Sequence, residues 1–336
     1  MMAVRKLLFT VLFISLTLNI LNASKVVQLP ILNRPNSIVI SNNQIFITEG
    51  INIFVFLIDN FKLITKFGKK GEGPGEFMNE DISLQILPDR ILVSNSNKIL
   101  FFSKNGKYKK ETRIPSYVNI VKKISNNYIG FKWDINPKAD DFYISYNLYN
   151  SNFKKLKELH RGNSVIHKNR SIDIFEIFFY DVVKNKIVIA HRKGFCVDIF
   201  DTDGNKLNSI TRNIKPIPFS EKDKQDVVSY WASLPYYKGF YESVKKRLNF
   251  PKYYPEIYQC RVSSTKIYII TYLTKDNKRE CFVYDLDGKY LKRIFLPLKI
   301  ESPVDHGIFT IYNNKLYQVI ENLNDETWEL NIYDLK

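Results

Sequence analysis

The chain is poor in cysteine and histidine, and beyond its N-terminus it has no long apolar run. Three cysteines, Cys196, Cys260 and Cys281, stand in 336 residues. Their odd number and wide spacing exclude a disulfide-dense scaffold and a CxxC zinc pattern, so buried thiols are expected, with a single bridge in an oxidising compartment as the alternative. The four histidines, His160, His167, His191 and His306, show no metal-ligand spacing along the sequence. There is no nucleophile elbow, no HExxH and no Ser/His/Asp signature. Acidic residues are the minority charge, 34 Asp and Glu against 50 Lys and Arg, for a formal net charge of +16. Such a surplus favours polyanions. The lysines are nevertheless scattered over turns and strand edges, as at Lys107, Lys109 and Lys110, where exposed lysine commonly blunts a sheet edge. A polyanion is therefore a possible partner, and a nucleic-acid partner is not expected.

What is present begins with an export signal. Arg5 and Lys6 precede an apolar run from Leu7 to Leu21, and the small residues Ala23 and Ser24 follow. A positive start, a short apolar core and a small-residue exit describe a cleaved secretory signal over residues 1–23, with an uncleaved membrane anchor as the alternative, although the run is short for a membrane span. No cysteine follows it, so a lipoprotein route is not indicated. No later stretch resembles a transmembrane helix. The mature protein is expected to be exported, whether periplasmic, cell-surface or secreted, and monomeric.

The mature region, residues 24–336, repeats itself. Phe102-Ser-Lys-Asn-Gly106-Lys107, Phe200-Asp-Thr-Asp-Gly204-Asn205 and Tyr284-Asp-Leu-Asp-Gly288-Lys289 are copies of one turn, and Leu57–Lys62 and Tyr149–Lys154 are degenerate copies. Asn-Gly and Asp-Gly are strong hairpin signals because both residues tolerate the positive φ of a tight turn. Strand-like runs precede each copy, such as Ile45–Thr48, Ile91–Ser94, Lys186–Ala190 and Lys266–Ile270. With Tyr333 as the sixth anchor, the anchors are spaced roughly 45–51 residues apart, except for one interval of about 84. Four antiparallel strands repeated radially make a propeller blade. The expected fold is all-β, a six-bladed β-propeller of four-stranded antiparallel blades. The chain stops where the last strand of blade six is due. The spare run at about residues 25–29 is therefore expected to close that blade and hide two sheet edges.

The long interval implies a helical insertion at about residues 214–255, between blades four and five. Ser220-Glu-Lys-Asp223 reads as a helix start. Asp226–Leu234 and Lys238–Leu248 have helical spacing, with Pro235 between them. The segment is rich in aromatics, and Trp231, Tyr236, Tyr237 and Tyr241, together with His306, are candidate ligand-binding residues for a cap over the channel mouth. Near the expected starts of inner strands lie Asp81, Glu176, Glu256 and Asp305. Carboxylates there could hold a hard divalent cation such as Ca2+, although such residues also cap loops. No other cofactor is expected, and no catalytic residue can be assigned.

The segment Phe67-Gly-Lys-Lys-Gly-Glu-Gly-Pro-Gly-Glu-Phe77 is not a P-loop, because no Gly-Lys-Ser/Thr follows. It reads as a blade-to-blade crossover in which glycine permits tight backbone turns. It resembles the first-blade signature of bacterial envelope six-bladed propellers related to the NHL-repeat and TolB-like proteins, and Phe250–Ile257 resembles the lead-in to a late blade. The resemblance implies the fold and an extracytoplasmic location, with no settled activity. Two functions follow as expectations. The first is a non-catalytic recognition module binding an envelope glycan, peptide or protein. The alternative is a metal-dependent hydrolase or lyase working at the channel mouth.

Overall fold

The computed structural model describes residues 23–136, 141–164, 166–167, 171–175, 179–191, 193–234 and 241–335. The signal segment therefore lies almost wholly outside the described residues. After β1 (Lys25–Gln28), blade one comprises β2 (Ser37–Ser41), β3 (Gln44–Glu49), β4 (Asn52–Leu57) and β5 (Leu63–Phe67). Blade two is β6 (Ser83–Ile86), β7 (Ile91–Asn95), β8 (Lys98–Phe102) and β9 (Tyr108–Arg113). Blade three is β10 (Asn119–Ile124), β11 (Asn127–Asn136), β12 (Asp141–Tyr149) and β13 (Lys155–Asn163). A short β14 (Ile172–Asp173) precedes blade four, which is β15 (Phe179–Val183), β16 (Lys186–Ala190), β17 (Cys196–Phe200) and β18 (Lys206–Thr211). The insertion holds α1 (Glu221–Ser233), α2 (Tyr241–Lys245) and β19 (Leu248–Asn249). Blade five is β20 (Gln259–Val262), β21 (Lys266–Lys275), β22 (Lys278–Asp285) and β23 (Tyr290–Leu296). Blade six is β24 (Ile308–Tyr312), β25 (Lys315–Asn322) and β26 (Thr327–Asp334).

The fold is a six-bladed β-propeller of four-stranded antiparallel blades. Each blade runs A-B-C-D from the axis outward. The sixth takes its outer strand from the other end of the chain: β1 pairs antiparallel with β26, Lys25 opposite Ile332 and Gln28 opposite Glu329. Ser24 Oγ donates to the Ile332 carbonyl at 2.7 Å and Trp328 Nε1 donates to the Asn33 carbonyl at 2.8 Å, extending the join on both sides.

Turn chemistry explains the repeat. In the C–D turns one side chain gathers two backbone N–H groups. Asp201 Oδ1 accepts from Asp203 at 2.9 Å and from Asn205 at 2.7 Å. Asp285 Oδ1 does the same for Asp287 and Lys289, and Asn150 Oδ1 for Asn152 and Lys154. Four positions after each anchor the backbone has positive φ, at Gly106, Gly204 and Gly288. In the two degenerate copies Phe61 and Phe153 hold that slot, each at φ 58°. A phenylalanine is strained there. Packing offsets the strain at Phe153, which is buried and stacks on Tyr128 at 4.9 Å.

The core is divided among six wedges, each between neighbouring blades. Phe46, Val55, Phe77 and Leu100 fill the wedge between blades one and two, and Ile38, Ile45, Tyr317 and Leu330 fill the one where the ring closes. Alternation on the blades sends successive side chains to opposite wedges. In the glycine-rich crossover Phe77 is fully buried, and Glu76 is held by Lys69 at 2.5 Å and by the Gly73 N–H at 3.0 Å. At Gly68 φ is 130°, and a Cβ there would collide with the Ile51 carbonyl oxygen.

Candidate functional site at the channel mouth

The D–A connections and the B–C turns of every blade emerge on one face, where the inner strands begin. Between blades two and three this face opens into a cleft of about 670 Å³ lined by Asp81, Ser83, Ser96, Asn97, Asn119 and Phe131, among others. Its walls are fixed from behind. Asn95, nearly fully buried, donates to Asn79 Oδ1 at 2.8 Å and to the Asp81 carbonyl at 3.1 Å, and accepts from the Met78 N–H at 2.7 Å. Ser94 Oγ accepts from the Val121 N–H at 2.9 Å. Asn97 Oδ1 is buried with no hydrogen-bond partner among the described residues.

The insertion belongs to the same face because it interrupts a D–A connection. The helix α1 begins as the sequence implies: Ser220 and Asp223 form a reciprocal capping box. It begins earlier than the apolar spacing suggests, at Glu221, and the second helix is shorter than expected, Tyr241–Lys245. The N-terminal capping stabilises a first turn that has no apolar periodicity of its own. Val227 is fully buried and enters the core between blades five and six together with Phe219. Tyr230 Oη meets Asp305 Oδ1 at 3.4 Å on the connection into blade six. On the other side β19 pairs parallel with β14 on the connection into blade four. The insertion is thus tied to the face from blade four to blade six. Beneath it lies a second cavity, of about 310 Å³, lined by Asp173, Phe175, Tyr253, Tyr254 and Glu256. Burial raises the Tyr254 and Tyr230 hydroxyls well above the usual tyrosine range, with Asp223 and Asp305 respectively adding to it.

Lys122 on β10 and Asp181 on β15, the inner strands of blades three and four, meet at 2.6 Å. Arg261 on β20 lies over the Phe309 ring at 4.5 Å and donates to the Cys260 carbonyl at 3.1 Å, with no carboxylate partner among the described residues. Burial depresses its pKa below the usual guanidinium range. Gln259, 6% exposed, donates to the His306 carbonyl and leaves Oε1 buried without a partner.

The carboxylates expected as a cation site are dispersed. Asp81 lines the cleft beside blade two. Glu256 accepts from the Gly194 N–H at 3.1 Å beside blade four. Asp305 caps its own loop, accepting from Gly307 at 2.8 Å and Glu301 at 3.1 Å. Glu176 lies outside the described residues. Among the described residues these carboxylates form no common ligand set. Trp231 is half-buried on α1, Tyr236 and Tyr237 lie outside the described residues, and Tyr241 opens α2. His306 is exposed on the connection into blade six. Sequence reasoning missed Arg261 and Asn97. The only signal at Arg261 is a cation in a strand-like run.

Residues 30–191, blades one to three and the start of blade four, match the family model DUF5128, described as a 6-bladed beta-propeller. No curated protein matches the chain. Two solved structures share the fold. A presumed exported protein of Bacteroides fragilis is 12% identical, with 90% of this chain and 91% of that chain covered and a TM-score of 0.55. A member of the duf4221 family from Bacteroides vulgatus is 11% identical, with 92% and 96% covered and a TM-score of 0.50. Among the described residues no helix is long and apolar enough to cross a membrane.

Proposed function

We propose that this propeller is an exported, non-catalytic recognition module of the cell envelope, and that its mouth face binds a hydroxyl-rich ligand, a glycan. The carrying observation is the cleft between blades two and three, where asparagine amides, serine hydroxyls and the Asp81 carboxylate stand beside the Phe131 ring and two isoleucines. Fixed amides and hydroxyls beside a ring suit a sugar, which presents alternating hydroxyls and an apolar face. The volume lies within the range of small-ligand sites. The sequence's signal segment supports export, and the presumed export of the Bacteroides fragilis protein agrees with it. Of the four carboxylates expected at the mouth, Asp305 and Glu256 accept from backbone N–H groups.

A glycan array on the purified protein, followed by calorimetry of the hits, tests this. Asn97→Ala and Asn119→Ala should each weaken binding by about tenfold, the worth of one lost hydrogen bond to a buried group. Binding that survives both substitutions, or hits confined to peptides, would refute the glycan reading.

A further inference from the structure

Between blades three and four, away from the mouth cleft, three potential ligand groups from separate strands converge. His160 lies on β13, the outer strand of blade three. His191 directly follows β16, and Asp198 lies on β17, both in blade four. His191 donates its backbone N–H to the Cys196 carbonyl at 2.9 Å, so it stands across the hairpin from Cys196, and Asp198 is two residues further along. The pleat therefore places all three of these side chains on the face turned to blade three. Donor atoms of His160, His191 and Asp198 all lie within 4.8 Å of one another. His191 Nε2 is 2.9 Å from Asp198 Oδ2, and the two imidazole rings are 4.0 Å apart at their centroids.

We infer that His160, His191 and Asp198 bind a divalent zinc ion that clasps blade three to blade four. Two imidazoles and one carboxylate are a donor set suited to zinc, which binds nitrogen and oxygen at about 2.0–2.2 Å. Binding would draw the donor atoms, which lie within 4.8 Å of one another, in to that radius. Asp198 is 2% exposed, and Ser209 Oγ donates to its Oδ1 at 2.6 Å, so the carboxylate is held in place as metal-site carboxylates commonly are. His160 makes ring contacts with Tyr146 and His191, and among the described residues its ring nitrogens accept or donate no hydrogen bond. The apolar wedge of Ile144, Ile189 and Tyr180 closes the inner side. The Cys196 Sγ lies 3.9 Å from Asp198 Oδ1. One side chain competes with the metal: Lys206 Nζ sits 2.7 Å from Asp198 Oδ2. It is half exposed and free to swing into solvent as the ion enters.

Calorimetry of the full chain, stripped with EDTA and titrated with zinc chloride, tests the assignment, with calcium and magnesium chloride run alongside. One zinc per chain should bind in preference to calcium and magnesium, and zinc should raise the melting temperature. His160→Gln and His191→Gln should each weaken zinc binding by at least about tenfold. Lys206→Met, at a half-exposed position, should tighten it several-fold by removing the competing cation. The last variant keeps the test decisive if a histidine variant fails to fold. No stoichiometric binding at millimolar zinc, binding that survives both histidine substitutions, or an affinity unchanged or weakened by Lys206→Met would each overturn the proposal.

Discussion

The closing strand offers a test at the level of single hydrogen bonds. The Leu29 N–H donates to the Trp328 carbonyl at 2.7 Å, so these residues form a hydrogen-bonded pair. Antiparallel ladders alternate, so Val27 and Leu330 are the next such pair, while Val26 opposite Asn331 is a non-bonded pair with its N–H turned outward. Proline removes one N–H, and on an edge strand it is tolerated only where that N–H faces solvent. Val27→Pro deletes a bond worth about 1 kcal/mol and orphans the Leu330 carbonyl, for a total of about 2–4 kcal/mol. It also loosens the anchoring of Leu29 and Leu32, each 3% exposed. Val26→Pro, at a side chain 49% exposed, should cost less than about 1 kcal/mol. Thermal unfolding followed by circular dichroism should show a midpoint drop on the order of 5 °C for Val27→Pro and little change for Val26→Pro. Equal drops, or a larger drop for Val26→Pro, would refute the register. No drop in either would show that β1 does not hold the ring.

Three further outcomes are expected. Gly68→Ala places a methyl group against the Ile51 carbonyl at a φ of 130°, so it should destabilise the chain by about 3 kcal/mol or more, read as a lowered denaturant midpoint. Ser220→Ala removes the capping box of α1 and should cost about 1 kcal/mol, seen as faster amide exchange confined to the insertion. Glu329 bridges the closing strands. Burial pushes its carboxyl pKa up, but hydrogen bonds from Asn322, Gln28 and Asn331 outweigh it and leave the pKa below the usual glutamate range. Its contribution is therefore present above the unfolded-state value, near pH 4.3, and fades as pH falls through the lower folded value. Glu329→Gln should flatten that acid limb of the melting-temperature profile; an unchanged limb would remove Glu329 as its source.

Much of the architecture was legible because blades are built from local signals. The C–D turns need a side-chain acceptor at one position and a positive φ at another, and Asp201 with Gly204 announces both within a few residues. Strand alternation and the Ser220–Asp223 cap are equally local. The site was not legible, for two physical reasons. A carboxylate near a strand start carries no mark of whether it is vacant or already satisfied, and Asp305 and Glu256 are taken by backbone N–H groups that sequence spacing does not reveal. Neighbours across a wedge belong to different blades, so His160, His191 and Asp198 meet only once the ring has set the angle between blades three and four. By itself, the sequence determined the number of blades and the place of the insertion, since each is announced by local turn and strand signals. Tertiary structure alone decided that Arg261 lies over the Phe309 ring and that Asn97 Oδ1 is buried without a partner among the described residues, because burial and partnering depend on what the other blades bring near.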